Sequence, residues 1–297
     1  MLSYVSMQVL GGRWVPDSLS RDTLAQPNMA LPNWLLEILR DPETLAPLHL
    51  DGDALLRPDG VAFDILDGIP SLPHPATTTG SNRKMQRFYR WLAPFYEWSE
   101  RFVARHLLAM DMDQGRAEIV QLLGLKPGMR LLEVSPGPGV FQPWLRQALG
   151  READLVAVDL SLPMLRQCRH RHAAEGAILV HANAEHLPFA DASFDGVFHF
   201  GGVNLFSQPG RALAEFVRVA KPSGLVAYGD EGFASDYPEG WRRRLLTRMN
   251  PGYLRPRAEV PTGLAGPKER SVYAGLGYLL TAQKARPDSC SEPCREL

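Results

Sequence analysis

From about residue 129 the chain alternates short, nearly continuous apolar runs with longer mixed segments. The runs are "MRLLEV", "DLVAVDL", "AILVHAN", "SFDGVFHF" and "GLVAYGD". Apolar residues on both alternate positions predict strands buried on both faces. The segments between them predict helices over Phe141–Gly150, Pro163–Glu175 and Gly210–Ala220, with Ser161 as N-cap of the second. Five such strands with helices between most of them predict an α/β fold: a doubly wound, mostly parallel sheet with helices on both faces. A basic helical piece, Trp241–Met249, follows, and "SVYAGLGYLLTAQK" reads as a last strand or strand pair.

The pattern before residue 129 differs. Residues 1–30 show no sustained period and read as an extension. Over 31–73 short apolar runs are split by "DGD", "PDG" and "LDG", which is hairpin punctuation. That predicts a short helix at Trp34–Arg40 and a small β-rich module to about Leu72. "HPATTTGSN" is a linker by composition. Residues 84–125 are mostly helical and aromatic-rich, with Pro94 as a break and a helix at Asp113–Leu123. Residues 286–297 form a polar tail.

Composition narrows the function. The 297 residues carry a net charge of -1, so no global basic field draws a polyanion, and no nucleic-acid partner is expected. Cys168, Cys290 and Cys294 make no disulfide framework, which points to a reducing, cytoplasmic compartment. No apolar run reaches membrane-span length, and the N-terminus shows no secretory signal pattern.

The chemistry concentrates in "LLEVSPGPGVF". It lies at the carboxyl end of the first of the five strands, where doubly wound sheets bind ligands. Gly137 and Gly139 permit a tight turn, and Asp159 ends the next strand about twenty residues on, where a carboxylate can grip ribose hydroxyls. A dinucleotide would need backbone donors facing its pyrophosphate, and Pro136 and Pro138 supply none. Gln142 stands where G-x-G-x-x-G has its last glycine, and Glu133 would repel a phosphate. A positively charged nucleoside without phosphate suits this loop better.

In these motifs the chain resembles the class I S-adenosylmethionine-dependent methyltransferases, nearest their quinone-biosynthesis-like small-molecule branch, over roughly Phe88 to Asp230. "LLEVSPGPGVF", "VAVDLSLPMLRQC", "ANAEHLPFADASFDGVFHF" and "FVRVAKPSGLVAYGD" occur in the family's order. The resemblance implies a Rossmann-like domain over 126–285, S-adenosylmethionine as cofactor and a small-molecule acceptor. It implies that Glu133, Ser135, Gly137 and Gly139 approach the methionine portion and that Asp159 takes the ribose. Leu160 and Met164 would flank the adenine, Asn183 and Ala184 would face its edge, and Phe200 and Gly201 would lie beside the sulfonium. "FYRWLAPFYE" resembles a lid helix, with Tyr96 on the cofactor and Tyr89 toward the acceptor. Ser135 replaces a usual glycine, tolerable with negative φ, and Asn183 replaces a common aspartate, its amide oxygen still able to accept from the adenine amine. The segment 34–72 resembles a zinc-ribbon-like module without its cysteines, with Asp41 and Pro58 near the expected thiol positions. It is read as metal-free and held by its own small core.

Six aromatic side chains fall within Phe88–Trp98, and "FGGVNLF" adds Phe200, Val203, Leu205 and Phe206 around Asn204. That lining, with Asn204 and Phe206 as contacts, suits a largely apolar acceptor. His199 is either a satisfied structural residue or a general base. Cofactor-dependent chemistry other than methyl transfer, a non-catalytic regulator and a tRNA methyltransferase are the rival readings, the last resting on the basic helix near Trp241.

Overall fold

The structure is a computed structural model, and it describes residues 7–10, 13–16, 31–74 and 111–286. Residues 84–110, including Tyr89 and Tyr96, lie outside them.

A hairpin of β1 (Met7–Leu10) and β2 (Arg13–Pro16) stands in the segment expected to lack regular structure. Then come helix α1 (Asn33–Ile38) and four short strands, β3 (His49–Asp51), β4 (Ala54–Leu56), β5 (Ala62–Leu66) and β6 (Ile69–Leu72). Helix α2 (Met112–Leu122) leads into β7 (Leu131–Val134), α3 (Gln142–Leu149), β8 (Leu155–Asp159), α4 (Leu162–His172) and β9 (Ile178–Ala182). After these come β10 (Phe194–Phe200), α5 (Pro209–Val219), β11 (Ala220–Glu231), α6 (Trp241–Met249), β12 (Leu264–Val272) and β13 (Gly277–Lys284).

One eleven-stranded sheet runs β12-β13-β11-β10-β7-β8-β9-β6-β5-β4-β3. The five expected strands are parallel neighbours at its centre. The C-terminal pair is antiparallel, with β12 starting before the expected segment. Chain order leaves β7 toward β8 and β9, then returns to β10 on the other side. The crevice at the carboxyl ends of β7 and β10 is therefore the topological switch point.

The N-terminal module is not held by a core of its own. Strand β6 pairs parallel with β9, Ser71 opposite His181 and Leu72 opposite Ala182. Leu35, Leu39, Leu48, Leu55 and Leu72 are buried in the same cluster as Leu132, Val158 and Val180 of the central strands. Removing this apolar area from water, at roughly 25 cal/mol per Å², welds module and sheet into one body. Near the expected thiol positions, Asp41 instead accepts from Glu43 N (2.9 Å), Thr44 Oγ1 (2.7 Å) and Arg57 (2.5 Å). Arg57 also pairs with Asp59. An ion-pair cluster ties the turns together there.

Alternation along β10 sorts its side chains to two faces. Val197 joins the core beneath α5, and Phe198 joins the one beneath α2 and α3. Asp111 caps α2, accepting from Asp113 N and Gln114 N. Ser161 sits at the N-cap of α4, but its hydroxyl makes no cap bond and is a buried orphan. Ser161's own N–H instead donates to Asp159 Oδ1.

Candidate active site

Three strand ends build the site. Beyond β7 the chain turns through Ser135–Gly139. Ser135 has φ +55°, the left-handed region, contrary to the negative φ its residue type favours. The turn holds it there: its N–H donates to Val158 O at 2.7 Å, keeping the loop on β8. Gly137 (φ +56°) donates its N–H to Asp159 Oδ2 at 3.0 Å. Gly139 (φ +83°) is required by packing as well, since a Cβ there would fall 2.6 Å from Cys168 Sγ and 2.7 Å from the His172 ring.

Asp159 is the junction. One oxygen accepts from Gly137 N and the other from Ser161 N (2.8 Å), so the carboxylate clips the glycine loop to the start of α4. Burial pushes its pKa up to about 6, against those two bonds, which favour the charge. Glu133 is buried at 1 % exposure. Burial, and secondarily the charge of Asp159, push it up to about 8, although Gln142 Nε2 donates to it. Gln142 Oε1 has no partner. Two acids thus sit at adjacent strand ends with no basic side chain among the described residues bonded to either, an arrangement that favours a cation arriving from outside.

On the β9 side, Asn183 is buried and its Oδ1 accepts from Glu185 N at 3.1 Å. The oxygen expected to meet an adenine amine thus uses one of its two lone pairs on the turn. Ala184 and Met164 are buried, and Leu160 is half-buried. His181 Nε2 donates to Leu160 O (3.1 Å) while its Nδ1 accepts from Ser71 Oγ (2.8 Å). The N-terminal module therefore reaches the rim of the expected adenine pocket by one side-chain relay. Further along the loop, His74 and His186 stack at 3.5 Å, and Arg211 donates to His186 Nδ1. Desolvation, together with the nearby His74 and Arg211 charges, lowers His186 to about 4.

Beyond β10 the loop wraps around Asp230, which accepts from Gly202 N (2.8 Å), Asn204 N (3.2 Å) and Asn204 Nδ2 (3.2 Å). Gly201 has φ +91°. Of the expected acceptor lining, Val203 is core and Asn204 is held by Asp230. The Phe206 ring lies 5.0 Å from that of His199. The Phe200 ring packs on Phe141 and Tyr273.

His199 has 0 % exposure. Its Nδ1–H donates to Val134 O at 2.8 Å, and its ring lies between Phe206 and Phe216. Desolvation lowers its pKa, so it is neutral, and Nε2 is a buried acceptor with no partner. Three orphaned buried polar atoms, Gln142 Oε1, Ser161 Oγ and His199 Nε2, thus flank the three strand ends. Buried polar atoms left unbonded point to a polar group that completes them. Sequence reasoning missed Gln142 and Ser161 as members of this set. The only sign was a polar residue where the glycine pattern ends.

Residues 132–228 match the family described as "Methyltransferase domain". The chain is 33 % identical over 177 residues to demethylmenaquinone methyltransferase of Renibacterium salmoninarum, covering 57 % of this chain and 70 % of that protein. It is 39 % identical over 103 residues to phthiotriol/phenolphthiotriol dimycocerosates methyltransferase of Mycobacterium leprae. There the match spans 35 % of this chain and only 38 % of the relative's length. A solved S-adenosylmethionine-dependent methyltransferase from Aquifex aeolicus aligns with a TM-score of 0.45 at 20 % identity, over 61 % of this chain and 93 % of that one. The chain belongs to the class I S-adenosylmethionine-dependent methyltransferases. S-adenosylmethionine is the cofactor of that family, and the acids and orphaned polar atoms at the three strand ends fit such a cationic nucleoside.

Proposed function

We propose that this protein transfers a methyl group from S-adenosylmethionine to a small, largely apolar organic acceptor. The observation that carries the reading is the acid pair at the switch point: Glu133, buried, and Asp159, half-buried at the next strand end, both raised in pKa and, among the described residues, without a basic partner bonded to either. Asp159 would take the ribose hydroxyls, and Glu133 would face the cationic end of the ligand. Gly137 and Gly139 would let the backbone approach. Leu160, Met164 and Ala184 would enclose the adenine, and Asn183, whose oxygen holds the turn with one of its two lone pairs, would face the adenine edge. Ser135, Phe200 and Gly201 would line the methionine side.

When bound, the cofactor supplies an activated methyl group that leaves a neutral thioether. The chain's part is then alignment and exclusion of water, which supply much of the rate for an in-line displacement. His199 Nε2 is a neutral, buried acceptor, suited to taking a proton from an acceptor hydroxyl or acidic carbon. The apolar acceptor is supported by the Phe206 ring beside His199, and by relatives named for demethylmenaquinone and phthiotriol dimycocerosates.

The test is incubation of the protein with methyl-labelled S-adenosylmethionine and an organic-solvent metabolite extract. Label should enter organic-soluble products with matching release of S-adenosylhomocysteine. Label appearing in RNA or protein, or in no product, would reject the acceptor class.

A further inference from the structure

Helix α6 is joined to the body by a narrow contact. Leu246 alone is buried among its residues, packed with Phe233 and Leu276. Arg243 also turns inward, its guanidinium 4.5 Å over the Phe233 ring and paired with Glu239. The opposite face is apolar and open. Trp241, Leu245 and Met249 recur at every fourth position, so they form one stripe. Their exposures are 70 %, 37 % and 48 %, and Leu254 on the following turn is 61 % exposed. Of the nine exposed large apolar side chains among the described residues, five lie within Trp241–Val260.

The charge around this stripe is one-sided. Trp241–Arg257 contains six arginines and no acid, in a chain whose net charge is -1. At about 100° per residue, Arg242 flanks the stripe on one side and Arg244 and Arg248 on the other, and all three are exposed. A groove of about 360 Å³ opens beside Trp241, between Tyr237, Pro238 and Leu276.

We infer that this face docks on an anionic lipid surface. An exposed apolar stripe with tryptophan at one end and arginines along both edges has the layout of an interfacial helix. The stripe enters the headgroup boundary while the guanidinium groups stay at the phosphates. A nucleic acid would be met by the arginines alone, and would leave Leu245, Met249 and Leu254 in water. The inference rests on this surface and not on the acceptor reading, so either can fail alone.

Co-sedimentation with vesicles of phosphatidylcholine, with and without phosphatidylglycerol, tests it on the full chain. Binding should require phosphatidylglycerol and weaken steeply as salt shortens the screening length. The variant Arg242→Gln/Arg244→Gln/Arg248→Gln should lower partitioning about 100-fold, several-fold for each charge removed. Leu245→Ser/Met249→Ser should also release the protein. Bromolipid quenching of tryptophan fluorescence gives a second readout, expected in the parent chain and diminished in Trp241→Phe. No binding to anionic vesicles would overturn the inference. So would equal binding to pure phosphatidylcholine, or binding to a short single-stranded RNA with none to vesicles.

Discussion

Two carboxylate corners, one in the N-terminal module and one at the centre of the parallel sheet, are treated by the molecule in opposite ways. Asp41 in the N-terminal module is 2 % exposed. Burial would raise its pKa, but Glu43 N–H, Thr44 and Arg57 more than reverse this, and it is held below the ordinary carboxylate range. Glu133 and Asp159 at the switch point are bonded to no basic side chain among the described residues, and both are raised. The first corner satisfies its charge with its own residues. The second holds two acids whose charged forms the fold disfavours, which is the pattern of a site whose partner comes from outside. Family membership agrees, and the contrast says which acids to disturb.

The largest effect is expected at the switch point. Asp159→Ala removes the charged acceptor proposed for ribose, two bonds worth about 1.5–3 kcal/mol each. Affinity for S-adenosylhomocysteine should fall about 10²–10⁴-fold by calorimetry. Stability should change little, because the lost bonds to Gly137 N and Ser161 N are offset by removing a disfavoured buried charge. Unchanged affinity in a well-folded variant would dismiss Asp159 from the ligand site.

Asp41→Ala should show the reverse profile. It leaves Arg57 with Asp59 alone and the Thr44 hydroxyl and the Glu43 N–H without their acceptor, a loss of about 2–4 kcal/mol by urea unfolding. Cofactor affinity of the folded fraction should hold within about threefold, well under 1 kcal/mol. A parallel loss of affinity would mean that the two corners communicate. The route would be the β6–β9 seam, through Ser71, His181 and Leu160.

That seam marks where the sequence stopped being legible. The five central strands announce themselves because continuous apolar runs have few other uses, and the glycine loop and Asp159 follow from strand ends. The union of β6 with β9 rests on two residue pairs, Ser71–His181 and Leu72–Ala182. No local pattern encodes a parallel pairing across more than one hundred residues. Asn183 and Asn204 were legible as polar residues in the right loops, but not as groups bonded to the Glu185 N–H and the Asp230 carboxylate. Which partner a side chain chooses depends on geometry that only the fold supplies.

Glu133 sharpens the contrast through pH. Its pKa in the fold, about 8, lies above the ordinary 4.5, so the fold favours the protonated form. The associated stability is complete below about pH 4.5 and lost as pH rises through about 8. Without cofactor, the protein should be less stable at pH 9 than at pH 5 by about 1–2 kcal/mol through this group, after relaxation and water entry reduce the full effect. Glu133→Gln should flatten that slope in thermal melts. A slope that persists unchanged would assign it elsewhere.

The smallest effect tests whether strain at the switch point is separable from ligand binding. Ser135 has φ +55°, which costs a non-glycine residue about 1–2 kcal/mol. Glycine removes that strain but adds freedom to the unfolded chain, worth about 0.5–1 kcal/mol. Ser135→Gly should therefore stabilise the protein by about 0.5–1 kcal/mol in urea unfolding. The neighbouring Gly139→Ala should do the opposite, since its Cβ would meet Cys168 and His172. If strain is all that the serine contributes, cofactor affinity should be unaltered in Ser135→Gly. A variant more stable yet weaker in binding would show that the hydroxyl at this position serves the ligand, and that the departure from glycine is part of the site.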